Sequence, residues 1–349
     1  MKKIKITLFS VGVVFAVLIF ISAYSYFLLT SKANIKNKDI KVQIKYGSSL
    51  SDIVHTLNEV DLLKPNFFFE KVIKFYAYTT GKTILAGYHK FPEGITNSEL
   101  IVSLFTGNNL YMQKVTFPEG ITIKRFASIL QKQMGIDSVL FYNLCNDSCF
   151  TSKYTSKYNI KVNSLEGYLM PATFNFFLDI EIEKIIDILV EEQIKVLEKN
   201  KNAADKIGLT MHEVLTLASI IEAETPVQQE RPIVSSVYHN RLRKNMLLQA
   251  DPTVQYAISS PKKRLLYSDL NINSRYNTYK YIGLPPGPIN SPSKSSIEAA
   301  VSPAKTKYLF FVATGDGSNT HNFSETYVEH QKKVKEFRNN LKKYKNNKK

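Results

Sequence analysis

Hydrophobic and polar positions alternate along this chain in three distinct ways. Leu8 to Leu29 is a run of 22 residues without a charge, and a helix needs roughly 20 to cross a bilayer. Lys2, Lys3 and Lys5 precede it, and Tyr24 and Tyr26 suit the interfacial belt. The pattern predicts a short cytosolic tail over 1–7, a transmembrane anchor over 8–29 and a polar linker over 30–39. The long apolar core has no clear small-residue cleavage site after it, which favours an anchor over a cleaved signal peptide. With no second span, the remainder is expected on the outer side of the membrane.

The second pattern is a repeat. Ile44 to Leu57, Phe91 to Leu104 and Phe117 to Leu130 each show a short extended run and then a glycine (Gly47, Gly94, Gly120). A hydroxyl follows two residues later (Ser49, Thr96, Thr122), and then apolar residues at helical spacing. Glycine permits the turn and the hydroxyl caps a helix. The prediction is strand–turn–helix used three times, with one small α+β module over residues 40–110 and the third copy opening a second domain over 111–345.

The third pattern is helical. Thr210 to Thr225 opens with a capping box, Thr210 with Glu213, and stops at Pro226. Val214, Leu215, Leu217, Ala218, Ile220 and Ile221 make it apolar on nearly every side, which predicts a buried helix. Glu222 and Glu224 end it, and periodicity does not choose between them. Ile180 to Lys199 reads as an amphipathic helix, Arg231 to Leu242 as another, and Ser296 to Ser302 as a short one. Tyr308 to Thr314 reads as a buried strand and residues 131–165 as poorly periodic. The fold class is α+β.

Composition narrows the chemistry. Forty-six Lys plus Arg against 30 Asp plus Glu leave +16 over 349 residues, which suits nucleic acid, an anionic membrane or an acidic polymer. No nucleic-acid-binding signature accompanies the charge, so nucleic acid ranks last. Cys145 and Cys149 allow a small disulfide loop or two plain thiols, and no His/Cys/Asp cluster has metal-ligand spacing. Residues 276–292 combine tyrosines, amides, prolines and glycines in a stiff loop of stacking rings and hydrogen-bonding groups, which suits a sugar. A carboxylic acid in a partly desolvated cleft beside such loops has its pKa raised and can donate a proton near neutrality.

Seven motifs occur in one order: Leu165-Glu166-Gly167-Tyr168-Leu169-Met170-Pro171-Ala172-Thr173, Ala218 to Thr225, Asn240-Arg241-Leu242, Gln249 to Tyr256, Tyr276-Asn277-Thr278-Tyr279, Gly283 to Ile289, and His321-Asn322-Phe323. Together they resemble the YceG-like endolytic murein transglycosylases over nearly the whole chain, including a single anchor and an N-terminal module similar to LysM. One departure is Ala172, where the family often has an acid.

The resemblance implies non-hydrolytic cleavage of the β-1,4 bond between N-acetylmuramic acid and N-acetylglucosamine. It implies Glu222 as the catalytic acid, with Glu166 and Glu224 supporting it in the cleft. The implied strand-binding residues are Tyr168, Asn240, Arg241, Gln249, Asp251, Tyr276, Asn277, Thr278, Tyr279 and His321. Neither metal nor cofactor is expected. The implied partners are peptidoglycan strands, the peptidoglycan synthases (penicillin-binding proteins) and a membrane crossed by one helix. The competing readings are a two-carboxylate hydrolase and a wall-binding scaffold without turnover.

Overall fold

A computed structural model describes residues 2–346 apart from 37, 46, 64–66, 159, 161–162 and 259–264; the side chains of residues 2–11, and so of Lys2, Lys3 and Lys5, and that of Phe67 lie outside the description. The chain divides into two compact units, residues 1–113 with 175–180, and residues 114–174 with 181–349.

The first unit begins with α1 (Lys2–Thr30). Its stretch Gly12–Thr30 has a mean hydropathy of 2.2 and no fully buried residue, and a helix apolar all round is stable only when something other than water surrounds it. Described residues of the polar linker over 30–39 are bonded to the rest of this unit. The Asn97 amide donates to Leu28 O at 2.9 Å and to Ser31 Oγ at 3.1 Å, Ala33 N donates to Ile95 O at 2.7 Å, and the Asn34 side chain donates to the carbonyls of Lys38, Phe91 and Pro92. Leu28 and Leu29 pack against the unit's core.

After this clamp come β1 (Ile40–Ile44), α2 (Leu50–Glu59), α3 (Phe67–Thr80), β2 (Gly87–Phe91) and α4 (Asn97–Thr106). β1 and β2 pair antiparallel with Val42 opposite His89. Ile53, Val54, Leu57, Phe91, Leu100 and Leu104 fill the space beneath them. The repeat is present as predicted: β1 leads into α2, β2 into α4, and β3 (Met112–Thr116) into α5 (Ile123–Met134). The three turn glycines lie at φ between +72° and +76°, where any side chain would be strained.

The second unit continues with α6 (Ser138–Asn146) and α7 (Ser148–Tyr158), so the 131–165 stretch is more regular than its periodicity suggests. The local signals are caps: Asp137 Oδ1 accepts from Val139 N and Leu140 N, and Asp147 Oδ1 from Phe150 N. β4 (Thr173–Phe177), whose last three residues belong to the first unit, pairs with β3. Then follow α8 (Ile182–Ile207), α9 (Met211–Glu224), α10 (Arg231–Arg243), α11 (Asp251–Ala257), α12 (Lys294–Val301), β5 (Phe310–Ala313), β6 (His321–Ser324) and α13 (Tyr327–Asn346).

α9 is the centre of this unit. Its eight residues from Val214 to Ile221 are all buried, and α8, α10, α11 and α12 all pack on it. Its predicted capping box is formed, with Thr210 Oγ1 accepting from Glu213 N and Glu213 bonded back. β5 is only half-buried, not the fully buried strand predicted. It lies at the edge of a two-stranded hairpin with β6 and is covered by α13 and α10.

Candidate active site

Residues two apart on a helix point about 200° from one another, so Glu222 and Glu224 leave the end of α9 in different directions. Glu222 turns into a closed network. Its Oε1 meets Arg231 Nη2 at 2.8 Å, and its Oε2 accepts from Ser293 N at 2.9 Å and Ser293 Oγ at 2.5 Å. Arg231 also donates to the hydroxyls of Ser293 and Ser295 and lies 3.9 Å from Glu119. With side chains only 7% and 3% exposed, Glu222 and Arg231 form a buried ion pair at the head of α12.

Glu224 opens into a cavity of about 790 Å³. Burial, with Asp251 nearby, lifts its carboxyl to about 7; the Tyr238 hydroxyl, which donates to Oε1 at 2.7 Å, and the charge of Arg241 pull the other way. Glu166 lines the same cavity from the 165–171 loop. Burial raises it to about 8 against the pull of backbone donors and Lys124, and Ile123 N at the head of α5 donates to it at 3.1 Å. Two acids with raised carboxyls, at about 7 and about 8, thus share one wall. Glu222 is absent from that wall, which runs through Gly120, Ala223 and Glu224. Glu222 nevertheless borders it, its Cγ 3.4 Å from where a Cβ on the lining Gly120 would stand.

The loops around the cavity hold each other by contacts that explain their motifs. Gly167 sits at φ +81°, and a Cβ there would come within 2.4 Å of Pro288 Cβ. Only glycine lets the 165–171 loop close on the proline loop. Thr278 ties the next pair together. Its Oγ1 accepts from Ala250 N at 2.9 Å and lies 2.9 Å from Thr253 Oγ1, and its carbonyl accepts from Gln249 N. Asn277 is fully buried, donating to Leu270 O and Ile272 O while accepting from Tyr279 N. These bonds present Tyr279, whose hydroxyl donates to Asp251 Oδ1 at 2.6 Å, with Asp251 on the cavity wall.

Of the expected strand-binding residues, Asp251 lines the cavity directly. Tyr279 reaches it through Asp251, and Tyr276 backs it by packing 4.9 Å, ring to ring, on the lining Tyr256. Thr278 and Asn277 are internal braces, and Gln249 is an exposed residue in the left-handed region at φ +47°. Four others do not belong to the cavity. Tyr168 is fully buried with its hydroxyl 2.8 Å from His212 Nδ1, while His212 Nε2 lies 2.8 Å from Pro286 O. Asn240 donates to Thr306 O and Tyr308 O. Arg241 donates to Leu309 O and Leu248 O. His321 pairs with Glu230 at 2.8 Å. Each is polar and in a motif, yet each satisfies backbone or a buried partner, as buried polar groups must.

The cavity also has Lys124, Tyr142 and Asn146, which sequence reasoning passed over, and Gln255, Tyr256 and Asn290, which stand in the motifs and the 276–292 loop without an assigned role. Tyr142 and Asn146 are four apart on α6 and so share a face. That spacing is visible once the Asp137 cap places a helix there. Cys145 and Cys149 are both free thiols, the first buried and the second exposed.

Residues 42–336 match the family model for the YceG-like family. Among similar proteins, the endolytic murein transglycosylase of Bacillus subtilis is 34% identical over 305 residues, covering 84% of this chain and 83% of that protein. The endolytic murein transglycosylase of Streptococcus pneumoniae is 29% identical over 335 residues, 88% of this chain and 60% of that protein. A crystal structure of a YceG-like protein from Listeria monocytogenes superimposes with a TM-score of 0.60 at 33% identity, covering 85% of this chain and 99% of that one.

Proposed function

The chain belongs to the YceG-like family, and from that premise we infer that it is an endolytic murein transglycosylase, a lytic enzyme that cuts peptidoglycan strands. The observation that carries the site assignment is the cavity at the end of α9, where Glu224 has a carboxyl held at about 7 and a tyrosine hydroxyl to orient it.

In this reading Glu224, protonated, donates to the oxygen of the β-1,4 bond between N-acetylmuramic acid and N-acetylglucosamine as positive charge develops at C1 of the muramic acid. The resulting carboxylate accepts the proton of the C6 hydroxyl of the same sugar, whose oxygen bonds to C1 and closes a 1,6-anhydro ring. The acid is regenerated and no water is consumed. A hydrolase needs a second carboxylate for water or for covalent attack, whereas a hydroxyl already attached to the substrate has the advantage of proximity. Glu166, Asp251 with Tyr279, and Asn290 are assigned to holding the strand.

Glu166 in the same wall is also the observation that favours the competing hydrolase. Mass spectrometry of digested peptidoglycan separates the two: anhydro-muramic ends are expected, and reducing ends in their place overturn the transglycosylase. Glu224→Gln is expected to lower strand release about a thousandfold. Equal release by the variant would favour a non-catalytic wall-binding scaffold.

The finer placement follows the same reading. α1 anchors the enzyme in the plasma membrane, its N-terminus cytosolic and the cavity on the outer side, beside strands leaving the peptidoglycan synthases with which it is assigned to cooperate. The β–α–α–β order of residues 40–91 supports the LysM-like reading of that module, and we assign it to holding glycan near the anchor.

A further inference from the structure

The strand–turn–helix repeat does not end its third copy as it ends the first two. In the first two the hydroxyl at the helix start serves its own helix: Ser49 accepts from Asp52 N and Thr96 from Glu99 N, each acid bonding back. In the third copy the matching residue is Arg125, so a capping box cannot form, and Thr122 makes no side-chain cap bond. At the head of α5 Arg125 N donates to Thr122 O instead, and Ile123 N donates to Glu166. Thr122 is released from capping, and it lines the cavity together with Lys124.

Lys124 is the one cation in the cavity wall among the described residues, where the other ionisable carboxyls are Glu166, Glu224 and Asp251. Its ammonium stands 5.8 Å from the centre of the Tyr142 ring and acts on the Glu166 carboxyl. A lone cation in such a wall attracts an anionic group of the substrate to one place. The backbone of a murein strand carries only neutral hydroxyl and N-acetyl groups. Its anions are on the lactyl arm of muramic acid, either as carboxylates of the attached peptide or as the lactyl carboxylate itself once the peptide is removed.

We propose that Lys124 and Thr122 bind a carboxylate carried on the lactyl arm of a muramic acid, and so select where along a strand the enzyme cuts. The ammonium supplies the charge and the freed hydroxyl a directed hydrogen bond, which together make a charge-assisted contact. This rests on the transglycosylase reading of the cavity and adds to it a rule for choosing muramic acids.

Three strand preparations test it: strands with peptides intact, strands stripped by an amidase, and stripped strands whose lactyl carboxylates have been converted to amides. Full-length wild type, Lys124→Gln, Lys124→Arg and Thr122→Val are compared by kcat/KM for anhydro-end formation, and by Kd in a Glu224→Gln background. Wild type should favour one charged strand over the amidated one, and intact or stripped identifies the source of the carboxylate. Lys124→Gln should lose about tenfold more on that strand than on the amidated one. Thr122→Val should lose in the same direction, and Lys124→Arg should restore most of the preference. Equal losses on charged and amidated strands, or no preference in wild type, overturn the proposal. Should wild type form no anhydro ends at all, the reaction assigned above falls, while the Kd comparison still decides whether the carboxylate is bound.

Discussion

Glu222 and Glu224 end one helix, and their environments predict opposite behaviour on substitution. Glu222→Gln leaves a buried Arg231 with one ionic partner fewer, and removing one member of such a pair costs roughly 3 kcal/mol; urea denaturation should show that loss. Glu224→Gln removes a carboxyl that burial already disfavours as an anion, so the same titration should show little change while turnover disappears. The pH dependence has a definite sign. The carboxyls of Glu224 and Glu166 are raised to about 7 and about 8 in the folded protein, so the native state binds more protons than the unfolded chain above the ordinary glutamate range near 4.3. Stability from these two groups is therefore greatest at acid pH and is lost as pH climbs through 7 and then 8. Activity that needs protonated Glu224 should fall through about pH 7. Glu166→Gln should leave that limb in place while flattening the loss of stability between pH 5 and 9.

At the scale of elements, the cavity depends on loops locked by a few close approaches. Gly167→Ala places a methyl group 2.4 Å from Pro288 Cβ in a backbone conformation at φ +81°. The expected cost is about 2–4 kcal/mol, read as a lower denaturation midpoint, with reduced strand release as the two loops part. Elements of this kind differ in how far they can be read from sequence. The repeat and α9 were legible because glycine, cap and periodicity agree locally at Gly94, Thr96 and Thr210. α6 and α7 were not, because their tyrosines, serines and lysines hide the periodicity that only the Asp137 and Asp147 caps betray. Which polar residue faces the cavity was least legible. Tyr168 and Asp251 both stand in motifs, but burial against His212 or exposure beside Glu224 is decided by contacts between residues far apart in the chain.

For the whole molecule, orientation across the membrane is testable with the residues it already has. Cys149 is an exposed thiol and Cys145 a buried one whose pKa burial pushes up, so a maleimide that cannot cross membranes should label intact wall-digested cells at Cys149 alone. Labelling only after lysis would place the second unit on the cytosolic side instead. The clamp on α1 has a mechanical meaning as well. Asn97 and Ala33 bind the end of the helix to the β1–β2 module. A membrane helix answers a thicker or thinner bilayer by changing its tilt. In the anchored reading proposed above, that tilt is passed to the module through these bonds, and lipid thickness is expected to set the angle of the first unit to the surface.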